Sequence, residues 1–179
     1  MKSTLTVSRK AQGLRERLTV YLLHRAILAH SLFHKNRKPW GLQTRDLLCY
    51  PSDSLGRALG EFLLQEQLEP IPKLERHDVF HVLLDYDTGM RDEAGLYFFL
   101  FGNGKKSLFS IGTILFAAMM FPEHWFYMYR EYKRGQQAFP ILKLKFKHFL
   151  RYEASDLKNL IFRREVKNKQ LLQEVCHQL

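Results

Sequence analysis

His77-Asp78-Val79-Phe80-His81, with Glu93 twelve residues further on, is the stretch of this 179-residue chain best equipped for chemistry. Side chains at i and i+4 are neighbours on one helix face, so the two imidazoles can reach a common point. Histidine pairs at this spacing offer two nitrogen ligands to a single divalent metal. A carboxylate from Asp78 or Glu93 would complete or tune the set. Two imidazoles with a carboxylate suit zinc first, leaving a position for water or substrate, although iron or manganese accept the same donors. Asp78 stands beside a ligand on a different helical azimuth. It is a candidate to orient a histidine or to act as the catalytic base on bound water. The competing reading is a satisfied pair of helix-face histidines that hold no metal.

Distance decides whether Glu93 can take part. On one unbroken helix, twelve residues from His81 carry it about 18 Å along the axis, at 1.5 Å per residue. No metal is shared across that span. Thr88-Gly89 changes the geometry by interrupting the helical pattern. If the first helix ends near Tyr86 and the chain turns back, the climb from His81 is roughly 7 Å and the return to Glu93 roughly 6 Å. The site therefore demands a helical hairpin.

The elements that must position it are helical. Long periodic stretches dominate, with six prolines and ten glycines, and they predict an all-α, single-domain bundle of about six to seven helices over 1–179. Helices are expected at 8–34, at 55–66 behind an Asp53 or Ser54 cap, around His77 and His81, and at 90–101, 107–121, 123–137 and 154–175. Residues 36–53 read as irregular, and the alternation of Ile141 to Phe146 fits a short strand. The 107–121 helix is apolar nearly all round, so it is expected at the buried centre of the bundle or as one wall of a lipid groove, the first being the default. Trp125, Phe126, Tyr127, Tyr129 and Tyr132 beside Arg130, Lys133 and Arg134 read equally as core aromatics or as an interfacial belt.

Other signals carry less. Cys49 and Cys176 are too few and too distant for a disulfide framework, and read as free thiols of a reducing compartment. The longest apolar run, Leu108 to Phe121, is 14 residues, short of the roughly 17–25 a membrane span needs. The polar start and the interrupting charges Arg15, Glu16, Arg17 and Arg25 give no secretory signal, and no removed leader is expected. The net charge of +10 calls for an anionic partner. No nucleic-acid recognition motif accompanies it, so an anionic membrane surface is preferred to nucleic acid. Gly102-Asn103-Gly104-Lys105-Lys106-Ser107 imitates a phosphate loop, but Phe99 stands where the Walker pattern needs glycine. His24, His30 and His34 lack acidic companions and read as surface or packing residues.

The His77-Asp78-x-x-His81 run, with eleven residues before Glu93, resembles the H-D-x-x-H-x11-E signature of the coenzyme Q biosynthesis protein 4 family. Two further stretches are similar: Ser54-Leu55-Gly56 with Phe62, followed by Pro70, and Tyr132-x-x-Gly135-x-x-Ala138. The resemblance covers roughly residues 50–150. Two departures stand out. Leu84-Asp85 replaces the family's Thr-Gly, and Asp92 replaces a glycine before the glutamate, which suggests a divergent member. The resemblance implies an all-helical fold, a homo-oligomer and a role in ubiquinone biosynthesis. It also implies peripheral attachment to the inner leaflet of a bacterial membrane or the matrix side of the mitochondrial inner membrane. Implied partners are a prenylated quinone intermediate or another isoprenoid lipid, and other proteins of the pathway. Implied chemistry is removal of the ring carboxylate with hydroxylation at that carbon. Carried over by position, the metal ligands would be His77, Asp78, His81 and Glu93.

Two alternatives stand beside this. One is a non-catalytic lipid carrier or scaffold in which the metal is a structural clasp. The other is a His-Asp metal phosphohydrolase, which would need His34 and Asp156 as further ligands.

Overall fold

The computed structural model describes residues 38–178. Among these the chain forms eight α-helices joined by short loops and 3-10 turns, with no sheet. The helices are α1 (Thr44–Leu47), α2 (Leu55–Gln65), α3 (Glu75–Leu84), α4 (Met90–Gly102), α5 (Leu108–Met120), α6 (Trp125–Gln137), α7 (Ala154–Ile161) and α8 (Lys169–Gln178).

The core follows from helical spacing. Leu55, Leu59 and Leu63 of α2, Val79, Phe80, Leu83 and Leu84 of α3, and Leu96, Phe99 and Leu100 of α4 are buried together. Phe146, Phe149, Leu157, Ile161, Leu171 and Val175 close the cluster from the C-terminal third. Ser54 caps α2 by accepting from the Arg57 amide at 3.2 Å, as its residue type favours. Two more α2 amides are satisfied from far along the chain: Leu55 donates to the Tyr152 carbonyl and Gly56 to that of Leu150, both at 2.8 Å.

α4 and α6 pack with their backbones in close approach. A Cβ on Gly135 would overlap the Phe99 carbonyl, and one on Gly102 would overlap the Tyr132 carbonyl. Glycine at both positions lets two backbones touch where any side chain would wedge them apart.

Several expectations need correction. Residues 141–146 form no strand: Ile141–Lys143 and Phe146–Phe149 are 3-10 turns. Their buried positions, Ile141, Leu144 and Phe146, fit a wound segment plugging the core, and Asn103 Oδ1 accepts from the Ile141 amide at 3.0 Å. The segment read as irregular contains α1, whose Gln43 and Asp46 form a reciprocal cap. The single helix expected at 154–175 is two, parted at Arg163, which takes a left-handed φ of 55°. The helix expected at 8–34 lies outside the described residues.

The largest correction concerns α5. It is not the buried centre. Only Ser110 and Ala117 are buried, while Leu108, Ile111, Leu115 and Met119 are exposed, Leu108 to 90%. α5 lies on the outside of the α4–α6 layer.

Candidate metal centre

The chain turns back as the site demands. α3 ends at Asp85, which adopts the left-handed conformation (φ 59°, ψ 49°). The Tyr86 amide then closes on the His81 carbonyl at 3.1 Å. After Asp87 and Thr88, Gly89 opens α4, and the Glu93 amide donates to the Gly89 carbonyl at 2.9 Å.

Ligand atoms of His77, His81 and Glu93 lie within 4.8 Å of one another. His81 Nε2 is 3.1 Å from Glu93 Oε1, and His77 Nε2 is 3.6 Å from Glu93 Oε2. The rings of the two histidines are 4.9 Å apart. Asp78 falls outside this group of three.

The protonation states suit a metal. His81 Nδ1 faces the Tyr86 carbonyl at 3.2 Å. A carbonyl can only accept, so Nδ1 donates to it, which would leave the Nε2 lone pair, on the Glu93 side, for a metal. Metal-ligating histidines are typically held this way by a partner on the other nitrogen. In the metal-free protein a proton on Nε2 substitutes. Burial works against that charge, but the Glu93 carboxylate, the Tyr86 carbonyl and Asp78 together raise His81 above its ordinary 6.5. Burial likewise opposes an ionised Glu93, yet the His77 charge and the His81 hydrogen bond bring its carboxyl below 4.5. The donor set therefore fits a divalent cation: two imidazoles and a carboxylate whose ionised form is already favoured.

Asp78 behaves differently. Burial pushes its carboxyl up to about 7; Glu93 and Glu75 add to the rise and His81 opposes it. Phe62 stacks on the His81 ring at 5.7 Å and Tyr97 lies 6.1 Å from that of His77, so the walls are aromatic. The tie from Tyr86 to Glu131 and Arg134 has no signal in the sequence, because nothing local links residues 45 or more positions apart.

A second feature shares α4. Phe98 and Phe101 of α4, Ile114 and Ala118 of α5, and Trp125 and Tyr129 of α6 line an apolar groove of about 340 Å³. Seven of the nine large hydrophobics exposed among the described residues belong to α5 and α6. The grouping settles that this is one face rather than scatter. None of these helices is long and apolar enough to cross a membrane.

Asp156 does not approach the histidines' group; it is buried at the start of α7, accepting from the Lys167 amide at 3.4 Å. His34, with His24 and His30, lies outside the described residues.

The architecture defines an all-α bundle with a candidate His-His-Glu metal centre on a back-folded hairpin. No protein-family model and no curated protein matches the chain. Its fold is similar to the crystal structure of a Nostoc punctiforme protein described as a "putative ubiquinone biosynthesis protein". The TM-score is 0.59 with 20% identity, over 86% of this chain and 84% of that one. The likeness shows the fold.

Proposed function

We propose that this chain is a divalent-metal protein of ubiquinone biosynthesis that handles a prenylated ring intermediate at an anionic membrane surface. The convergence of His77, His81 and Glu93 across the hairpin carries this reading. Zinc is the metal favoured by the donors. When bound, it would supply Lewis-acid polarisation of an oxygen on the ring substrate. The chain's own residues do the rest. His81 is held by Tyr86, Glu93 bridges toward both rings, and Asp78 exchanges a proton at its carboxylate near neutral pH. The apolar groove suits an isoprenoid tail: its lining is hydrophobic and aromatic, and Trp125 and Tyr129 stand at an open side.

The exposed face supports the membrane part. Phe126, Tyr129, Arg130 and Lys133 follow one another along the outer side of α6, so cations continue the aromatic stripe. Aromatic and basic side chains together suit the headgroup region of an anionic bilayer.

Metal content of the purified full chain and quenching of Trp125 fluorescence by a short-chain prenylated quinone test the proposal. One divalent ion per chain is expected, lost in His81→Ala and Glu93→Gln with helical content retained. Absence of stoichiometric metal in the wild-type chain ends the metal claim, and unquenched fluorescence ends the tail assignment. A scaffold role keeps one specific observation in its favour: the three donors join two helices, so a metal there would clasp the hairpin. In that case the ligand variants lose thermal stability while quinone binding survives.

A further inference from the structure

Glu131 and Arg134 are charged residues of α6 that the proposed chemistry leaves unused. Glu131 is 3% exposed. A carboxylate so placed is costly unless it is paired and hydrogen-bonded. It accepts from the Tyr86 hydroxyl at 2.6 Å, from Arg134 Nη1 at 3.1 Å and from Arg130 Nε at 3.3 Å. Burial and the Glu131 carboxylate push the Tyr86 phenol up, so it stays protonated and donates. Arg134 Nη2 donates to the Leu84 carbonyl at 3.1 Å, and its guanidinium lies 4.6 Å from the Phe162 ring and 5.5 Å from that of Tyr86.

These contacts grip both sides of one turn. Leu84 precedes the left-handed Asp85 and Tyr86 follows it. Tyr86 in turn holds His81 twice, by its amide on the His81 carbonyl and by its own carbonyl on Nδ1. α6 also fixes the other arm of the hairpin. Tyr127 donates to Asp92 Oδ1 at 2.9 Å, beside Glu93, and Gly135 sits against the Phe99 carbonyl. One helix therefore fastens the turn behind His81 and the helix that carries Glu93.

We propose that Glu131 and Arg134 are positioning residues which, through Tyr86, keep the Tyr86 carbonyl on His81 Nδ1 and so set the direction in which Nε2 faces Glu93. The physical reason is restraint of the turn on both sides of that carbonyl. The Leu84 carbonyl, the Tyr86 amide and the Tyr86 hydroxyl are each bonded ahead of it, and the Asp87 amide of the same peptide plane donates to Asp92 Oδ2 at 3.2 Å. Release the contacts from α6 and the carbonyl can leave Nδ1, so that the ring is free to turn. The metal readout below rests on the proposed function, but the Nδ1 hydrogen bond is a property of the metal-free chain.

The test uses the full chain with Tyr86→Phe, which removes a hydroxyl and keeps the ring, Arg134→Met, Glu131→Leu, and Glu131→Gln, which keeps an acceptor for Tyr86. Ring-nitrogen NMR of metal-free His81 in its doubly protonated form reads how well the Nδ1 proton is protected from exchange, and competition with a chelator reads zinc affinity. The wild type is expected to keep that proton protected on the Tyr86 carbonyl. Tyr86→Phe, Arg134→Met and Glu131→Leu should lose the protection and weaken zinc by roughly tenfold or more, as loss of an outer partner does. Glu131→Gln should stay near the wild type in both. Variants that lose thermal stability yet keep the wild-type protection and zinc affinity would overturn the proposal, leaving only a packing role. Should Arg134→Met fail to fold, Tyr86→Phe decides. If the wild type takes no zinc, the functional reading fails and the protection of the Nδ1 proton alone judges the clamp.

Discussion

At the scale of single residues, the candidate centre makes an opposed pair of pH responses. In the metal-free chain His81 is raised above 6.5, so its contribution to stability is full below that value and fades as pH climbs through the raised one. Asp78, raised from 3.8 to about 7, costs progressively more across that interval, because the folded chain keeps a proton that the unfolded chain has given up. Glu93 is lowered below 4.5, so its contribution is present above that value and disappears only in stronger acid. The metal-free protein should therefore lose stability as pH rises from 4.5 to about 7, and go on losing it beyond as His81 gives up its proton. With zinc bound the slope should reverse, because a metal needs its ligands deprotonated. Thermal melts across that range, with and without chelator, measure both slopes. Parallel slopes in the two states would show that the three side chains do not share an ion.

Much of the centre was legible at this scale. The i, i+4 histidines and the break at Thr88-Gly89 sufficed to demand a hairpin, and the side chains of His77, His81 and Glu93 do converge. What could not be read was the support behind them. Tyr86, Glu131 and Arg134 meet only after α6 has docked, and no spacing rule joins an exposed-looking charged helix to a turn 45 residues earlier. The position of Asp78 outside the trio was equally hidden, since azimuth alone left it free to be ligand or neighbour.

Among elements, the decisive contact is α4 against α6. The Tyr132-x-x-Gly135-x-x-Ala138 pattern gains a physical meaning there: Gly135 meets backbone and Ala138 is buried beside it. Gly135→Ala should destabilise the fold by about 1–3 kcal/mol or more, because the overlap is with a carbonyl that cannot rotate aside. Equilibrium unfolding in urea measures it, and a loss within about 0.5 kcal/mol would mean that the crossing is looser than its geometry. The departure at Leu84-Asp85 is explained here too. Position 85 ends α3 with a positive φ, the conformation glycine adopts without cost and aspartate tolerates better than most residues. Aspartate here makes the turn that a glycine would serve. Sequence periodicity misjudged α5 because an all-apolar helix looks alike whether the surrounding medium is protein or something else.

For the whole molecule, the arrangement is polarised. The main core joins α2, α3, α4, α7 and α8, a smaller cluster of Ala94, Ala117, Phe121 and Met128 lies between α4, α5 and α6, and most of the large exposed hydrophobics among the described residues gather on α5 and α6 beside Arg130 and Lys133. A second copy seated on that face would bring one cationic rim against another, whereas acidic lipid meets it with opposite charge. Full-length protein should float with vesicles containing phosphatidylserine and not with purely phosphatidylcholine vesicles, the binding weakening as salt rises. Phe126→Ser, at a position 82% exposed, should lower partitioning about tenfold without changing stability, the loss of one inserted aromatic. Equal flotation of wild type and variant, or a concentration-dependent dimer that hides the face, would remove the membrane assignment.

The amide bonds that tie the start of α2 to Leu150 and Tyr152 have a consequence for how the chain is made. Those donors, and the Asp53 carbonyl that takes the Ala154 amide, have no partners until some hundred further residues have left the ribosome. The residues His77 to Glu93 have all been synthesised by then. A nascent chain thus offers the three metal donors to the cell before it owns the core that will enclose them, so the order of ion capture and final compaction is open to whatever supplies the ion.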